Sequence, residues 1–377
     1  MPGDPTTMSL GGSATLPAEH PDRRLPTPTG AYHCSVPTRR GWSTAVALLA
    51  LPAVALSACS SPSATANHGS TPTKPVHVPG STTTTVPPTT TTTVPPLVPL
   101  ATPTPLNPLV TPPLPGEGQW QPAGRPVDGV SAVYQTNLRA EGNVSVAGVA
   151  WMDTKLLKGN LYSGSISPGD GPWTYTAPIL PDAAQTLVCA FNGGFQMKDA
   201  HGGYFTEGRV IVPLVSGAAS LVISQDGTVT VGEWGRDMTM TPNVLAVRQN
   251  LTLLVDNGAP VPGLDPSDTA TWGSSLGGVP QVYRSGAGVT ADGALVYVSG
   301  PSLNVPQLAD LLVRAGAVRA MELDINPAWD TFVAYNPPNN GLAAADNGTE
   351  LLPSMAGGPD RFFEASWARD FITMSAR

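Results

Sequence analysis

Residues 284–299 read RSGAGVTADGALVYVS, and this stretch predicts the fold class of the chain. Its two halves are rich in small and β-branched residues, and they flank Asp292-Gly293, a pair that accepts the positive φ of a tight turn. The segments around Asp226-Gly227 and Asn257-Gly258 have the same pattern. The three stretches predict β-hairpins.

One amphipathic helix is predicted after these strands. Asn304 is a suitable N-cap, Pro306 lies in the first turn, and Gly316 ends the pattern. Many strands with one clear helix indicate an α+β fold. We expect a single domain with a large mixed, mainly antiparallel sheet and few helices, over residues 119–377.

The first 118 residues predict export and a tether. Residues 1–58 have the pattern of a lead-in and a signal peptide, with Arg39-Arg40 before an apolar run. Leu56-Ser57-Ala58-Cys59 resembles a bacterial lipobox, in which the cysteine is lipidated; an ordinary signal peptide that ends near a cysteine is the alternative. Residues 59–118 are rich in Thr, Pro and Ser, which predicts a disordered tether. We therefore expect an extracytoplasmic protein, lipid-anchored to the outer face of the cytoplasmic membrane and reaching into the cell wall.

Composition excludes several function classes. The net charge of −8 is unsuited to nucleic acid, which needs clustered positive charge. The predicted domain contains one histidine, His201, and one cysteine, Cys189, too few for a His/Cys zinc site. Cys189, within an apolar run, is expected to be a small buried side chain, and His201 is either an ordinary loop residue or a substrate contact. Carboxylates, arginines and Asn-Gly loops remain, and these residues suit sugars and phosphoesters.

The string Met321-Glu322-Leu323-Asp324 gives the sharpest chemical signal. A strand places alternate side chains on one face, so Glu322 and Asp324 are expected to lie about 7 Å apart. They are either an acid pair at a cleft, with pKa values pushed apart, or the solvated face of an edge strand.

Two other strings place polar residues beside glycines. Asn192-Gly193-Gly194 follows a predicted strand and is either a ligand loop or an ordinary turn. Arg284 begins the hairpin, where its guanidinium is suited to bidentate capture of a phosphate; pairing with a structural carboxylate is the alternative.

Together, in this order, the three strings resemble the phosphodiester glycosidase family over roughly residues 146–336. The resemblance implies hydrolysis of a sugar-1-phosphodiester, with Asp324, Glu322 and Arg284 as catalytic residues. It also implies that Asn192, Gly193 and Gly194 hold the sugar. Asn326 and Trp329 follow Asp324 where the family has a glycine run, and we expect them, with His201, to contact substrate.

A non-catalytic module that binds cell-surface glycans is the alternative function. No cofactor is required on the hydrolase interpretation, although a divalent cation held by oxygen ligands is compatible with it. The expected partners are a cell-envelope carbohydrate or glycosyl phosphate, and the membrane through the lipid on Cys59.

Overall fold

The computed structural model describes residues 97–365 and 367–377. The predicted signal peptide, the predicted lipidation site Cys59 and residues 59–96 of the predicted tether lie outside the described residues. Among the described helices, none is long and apolar enough to cross a membrane.

The described residues form three α-helices and eighteen β-strands. The helices are α1 (Pro181–Ala184), α2 (Thr269–Trp272) and α3 (Val305–Arg314). The first nine strands are β1 (Gln121–Ala123), β2 (Val133–Arg139), β3 (Val146–Met152), β4 (Leu157–Tyr162), β5 (Leu187–Asn192), β6 (Tyr204–Thr206), β7 (Arg209–Val212), β8 (Ala219–Ser224) and β9 (Val229–Glu233). The other nine are β10 (Val244–Gln249), β11 (Leu253–Asp256), β12 (Ala259–Pro260), β13 (Val282–Thr290), β14 (Leu295–Leu303), β15 (Ala317–Glu322), β16 (Phe332–Tyr335), β17 (Gly348–Glu350) and β18 (Phe371–Ala376).

The strands form three sheets, and the α+β class is confirmed. The large sheet has the order β1-β2-β3-β14-β13-β15-β11-β12, the second β17-β16-β5-β18-β4, and the third β7-β6-β10-β8-β9. Neighbouring strands in all three sheets pair antiparallel. The expected single domain with a large, mainly antiparallel sheet is thus confirmed, and two smaller sheets pack with the large one around a shared core.

The large sheet is buried on both faces. Along β3, Ala150 and Met152 lie in the core that all three sheets share, whereas Val149 and Trp151 pack in the cluster that contains α3. Strands covered on both sides need apolar residues at successive positions, and β3 is buried over six of its seven residues. This packing fixes the strand ends that carry the polar residues.

The local predictions for hairpins and helix are confirmed. β8 pairs with β9, β11 with β12, and β13 with β14, each across its predicted Asp-Gly or Asn-Gly turn. Asn304 caps α3 in a capping box with Gln307, and Gly316 follows the helix at φ +98°.

The tether prediction is wrong at its C-terminal end, because residues 97–118 pack on the domain. The Leu100 amide donates to Asp153 Oδ2 at 2.8 Å, and Leu106 packs against the core cluster around α3. Glu117 and Arg139 form a buried ion pair with Nη2 and Oε2 2.9 Å apart. The composition of residues 97–118 predicted an unfolded segment. In the structure, its few apolar side chains and its backbone carbonyls contact the rest of the domain.

Candidate active site

Strand ends from all three sheets meet at one place. β5 ends at Asn192, β10 at Gln249 and β15 at Glu322, while β18 begins at Phe371. The buried Asn250 links these ends: its Oδ1 accepts from the Phe195 amide at 3.1 Å, and its Nδ2 donates to the Glu322 carbonyl at 2.8 Å. The loops that leave these strands therefore form one polar surface on a rigid frame.

A cleft of about 530 Å³ opens at this surface. Four of the predicted site residues line it: His201, Asp324, Asn326 and Trp329. Arg369, Lys198, Asp199 and Gln196 add polar groups, and Phe195, Leu251 and Ile325 add apolar surface. A concave site with an apolar wall and a few converging charged groups is the usual form of a ligand site.

Asp324 and Arg369 form an ion pair at the cleft, and both side chains are buried, with 4% and 6% exposed. Arg369 Nη2 donates to Asp324 Oδ2 and to the Gly194 carbonyl, the latter at 2.5 Å. Asp324 Oδ1 accepts from the amides of Ile325 and Asn326, at 2.8 and 3.1 Å. The carboxylate is therefore held rigidly, and Arg369 Nε has no hydrogen-bond partner among the described residues.

Burial sets the ionisation of this region. Burial raises the pKa of Asp324 above its ordinary value, and the positive charge of Arg369 only partly offsets this. The pKa of the nearby Asp330 is raised further, first by burial and then by the negative charge of Asp324. Asp330 lies behind the cleft, where it accepts from Ser285 Oγ. A carboxylate of raised pKa is a better proton acceptor, which is the property a catalytic base needs.

Glu322 and Arg284 lie behind the cleft and pair with each other. Arg284 Nη1 is 2.5 Å from Glu322 Oε1, and both side chains are buried. Arg284 also donates from Nε to the Leu303 carbonyl at 3.0 Å and from Nη2 to the Pro280 carbonyl at 3.2 Å. The pattern placed Arg284 at the phosphate, but all three of its nitrogens face protein groups. The alternative, pairing with a structural carboxylate, matches this geometry.

Asn192, at the end of β5, forms hydrogen bonds with three neighbours behind the cleft. Its Oδ1 accepts from Tyr297 Oη at 2.8 Å and from the Thr331 amide at 3.2 Å, and its Nδ2 donates to Ser285 Oγ at 3.0 Å. These bonds occupy the amide that the sequence assigned to the sugar. The structure thus places Asn192 outside the lining of the cleft.

Gly193 and Gly194 allow close packing behind the cleft. A Cβ on Gly193 would lie 2.1 Å from Asp370 Oδ2, and one on Gly194 would lie 2.9 Å from Arg248 Cζ. Arg248 and Asp370 form a buried ion pair, with Nε and Oδ2 2.7 Å apart. The two glycines therefore leave room for the Arg248–Asp370 ion pair, and the Gly194 carbonyl accepts a hydrogen bond from Arg369. Their position does not provide a direct contact with a sugar.

An aromatic and arginine cluster forms one end of the cleft. The Arg369 guanidinium lies over the Trp329 ring at 5.1 Å from its centroid, and Trp329 packs edge-on against Trp367 at 5.4 Å. Trp329 is half-buried, so part of its ring is open to a ligand. Sequence reasoning named Trp329 but missed Arg369. The available signal was Arg369-Asp370, two charged residues directly before the last apolar strand.

His201 and Lys198 also line the cleft. His201 is exposed at φ +50°, and Lys198 is 4.0 Å from Asp199 through exposed side chains. Within the described residues, no group of three or more His, Cys, Asp or Glu side chains is arranged to hold a metal ion. Cys189 is buried in the shared core, as predicted.

The family model for phosphodiester glycosidase matches residues 185–324. The resemblance to phosphodiester glycosidases is confirmed. The matched segment contains Asn192, Arg284 and Asp324, and it ends before Trp329 and Arg369. The match supports a hydrolase of phosphodiester-linked sugar.

The chain is similar to several solved structures, among them one from zebrafish and one from Synechocystis. The catalytic domain of zebrafish N-acetylglucosamine-1-phosphodiester alpha-N-acetylglucosaminidase is 14% identical, with a TM-score of 0.40, over 69% of this chain and 88% of that one. A hypothetical protein from Synechocystis is 12% identical, with a TM-score of 0.37, over 68% of this chain and 64% of that one. No curated protein matches the chain.

Proposed function

We propose that this protein hydrolyses a sugar-1-phosphodiester in the cleft at Asp324. The observation that carries the proposal is the buried Asp324–Arg369 pair, which lines a cleft beside the partly open ring of Trp329. A phosphodiester glycosidase needs a cation for the phosphate, a carboxylate near the anomeric carbon and a surface for the sugar. These three residues supply the three groups.

The phosphate would be bound by Arg369. In the wall of the cleft, its guanidinium is fixed by Asp324 and by the Gly194 carbonyl. A guanidinium held in place needs no reorganisation when negative charge develops on the leaving phosphate. Lys198 at the rim adds a second, mobile positive charge.

The sugar would lie on Trp329, with Asn326 and His201 in reach of its hydroxyls. In the reaction, the oxygen of a water molecule bonds to the anomeric carbon while the bond from that carbon to the phosphate oxygen breaks. The bonding electrons leave with the phosphate as a phosphomonoester, and Asp324 accepts the proton of the water. The carboxylate also stabilises the positive charge that develops at the anomeric carbon.

Arg284 and Glu322 have a different role in this proposal. They hold the end of β15, and with it the start of the loop that carries Asp324, because their pair joins β15 to β13. They are positioning residues, and Asn192 acts in the same way through Ser285 and Thr331.

We further propose that the protein acts outside the cytoplasm on a cell-envelope glycan, anchored through a lipid on Cys59. The support is the lipobox-like string and the Thr/Pro-rich segment that follows it. We also propose that turnover needs no cofactor and persists in a metal chelator.

Isotope incorporation tests the reaction. Methyl N-acetylglucosaminyl phosphate, with parallel glucosyl and mannosyl esters, is incubated with the protein in water enriched in ¹⁸O. The proposal expects free sugar that carries the label and methyl phosphate that does not. Label in the phosphate would show cleavage of the P–O bond and would overturn the assignment. Binding of these esters without turnover would support the alternative, a non-catalytic glycan-binding module.

A further inference from the structure

The cleft at Asp324 is the middle one of three adjoining depressions. One neighbour, of about 390 Å³, shares the wall residues His201 and Leu251 with it. The other neighbour, of about 430 Å³, shares Ile325 and Asn326. The two neighbours have no described lining residue in common, so they adjoin the cleft at different places.

One stretch of chain contributes to all three depressions. Thr269, Ala270, Gly273 and Ser274 line the central cleft, Ala270 and Thr271 line the first neighbour, and Ser274 and Ser275 line the second. The three depressions therefore adjoin along a common wall formed by α2 and the residues after it. We call them together the groove, in which the two neighbours are the ends and the cleft is the middle.

Charge is confined to the middle of the groove. Lys198, Asp199, Asp324 and Arg369 line the central cleft. The described residues that line either end include no Asp, Glu, Lys or Arg. The first end presents hydroxyl residues such as Ser216 and Thr252 beside Val215 and Leu251. The second presents Ser275 and Tyr283 beside Val282 and Pro327. Neutral hydroxyls and an aromatic edge are suited to carbohydrate or polyol, whereas only the middle is suited to phosphate.

We propose that the substrate is an internal link of a chain, in which the phosphodiester joins two carbohydrate units that continue on both sides. This inference rests on the proposed function and names its substrate class. A terminal sugar on a small aglycone would leave both ends of the groove empty. The protein therefore cleaves within the chain, because units on each side of the bond contribute to binding.

The test compares two esters of one sugar. One is methyl N-acetylglucosaminyl phosphate, and the other is a tetramer of N-acetylglucosamine units joined by 1→6 phosphodiester links, with a fluorophore at one end. We expect kcat/KM to be at least about 10-fold higher for the tetramer, equivalent to about 1.4 kcal/mol of added binding. The first products should be dimers from the central link. Equal kcat/KM values, or stepwise release of single sugars from one end, would overturn the inference.

Two substitutions test the ends of the groove separately. Thr252→Trp and Ser275→Trp should each lower the ratio of kcat/KM for the tetramer to kcat/KM for the methyl ester, by about 10-fold. The matched control is Thr349→Trp, at an exposed position of β17, which should keep the kcat/KM ratio of the wild-type protein. An unchanged ratio in both groove variants contradicts the inference.

Binding separates failure of the inference from failure of the proposed function. If neither of these esters nor the parallel glucosyl and mannosyl esters are hydrolysed, the proposed function fails, and fluorescence anisotropy of the labelled tetramer decides about the groove. Tight binding that both groove variants weaken supports the groove; absence of binding, or binding that neither variant changes, overturns it.

Discussion

Arg369 donates a hydrogen bond to the carboxylate of Asp324 from a position 45 residues further along the chain, and both side chains are buried at the cleft. Arg369 lies two residues before β18 of the second sheet, and Asp324 lies two residues after β15 of the large sheet. The pair therefore couples two sheets at the point where we propose that chemistry occurs.

The packing of residues 97–118 predicts a loss of stability on truncation. A chain that begins at Gln119 loses Glu117, which leaves the buried Arg139 without its ion-pair partner. Breaking a buried pair costs about 3–5 kcal/mol, so the melting temperature should fall by roughly 10 °C relative to a chain that begins at Leu97. Calorimetry measures the difference. Equal melting temperatures would mean that this segment contributes no stability.

The raised pKa of the buried Glu322 predicts that the stability of the protein decreases as the pH rises. Burial raises the pKa of Glu322 to about 7, although Arg284 opposes the shift. The folded protein then binds more protons than the unfolded chain between about pH 4.5 and 7, so the free energy of unfolding decreases over this range, by about 3 kcal/mol at most from this group. Glu322→Gln should flatten the decrease in melting temperature between pH 5 and 7. The exposed control Glu141→Gln should not, and an unaltered profile in Glu322→Gln would refute the assignment.

Gly193 predicts a steric cost on substitution. In Gly193→Ala the new methyl group meets Asp370 Oδ2 at 2.1 Å, and Asp370 is already fixed by Arg248. Overpacking of this kind costs about 1–3 kcal/mol. Urea denaturation should show this loss, whereas Gly341→Ala, whose nearest neighbour is an oxygen at 3.1 Å, should lose less. Equal losses would show that the contact relaxes freely.

Cys59 predicts the location of the mature protein. If its lipid is the only membrane anchor, Cys59→Ser should move the protein from the membrane fraction to the secreted fraction. Ser60→Ala is the neighbouring control and should leave the distribution unchanged. A Cys59→Ser protein that stays with membranes after high-salt washing contradicts the anchor.

Local signals in the sequence predicted the fold better than the site. The hairpins at Asp226, Asn257 and Asp292 and the cap at Asn304 depend on residues adjacent in sequence, and all were found in place. The partners of Arg284 and Arg369 depend on how the sheets pack, which no local pattern contains. Arg284 therefore looked like a ligand residue although it pairs with Glu322, and Arg369 gave no comparable signal.

The most direct test of the central claim is to measure kcat and KM in Asp324→Asn, Arg369→Lys and the exposed control Asp182→Asn. The substrate is methyl N-acetylglucosaminyl phosphate or the parallel ester with the highest wild-type turnover. Asp324→Asn should lower kcat by about 100-fold or more, because it removes a positioned carboxylate. Arg369→Lys should raise KM and lower kcat, because lysine lacks the planar guanidinium fork. Circular dichroism and the melting temperature confirm that each variant is folded. A folded Asp324→Asn protein with the kcat of the wild type would contradict the account.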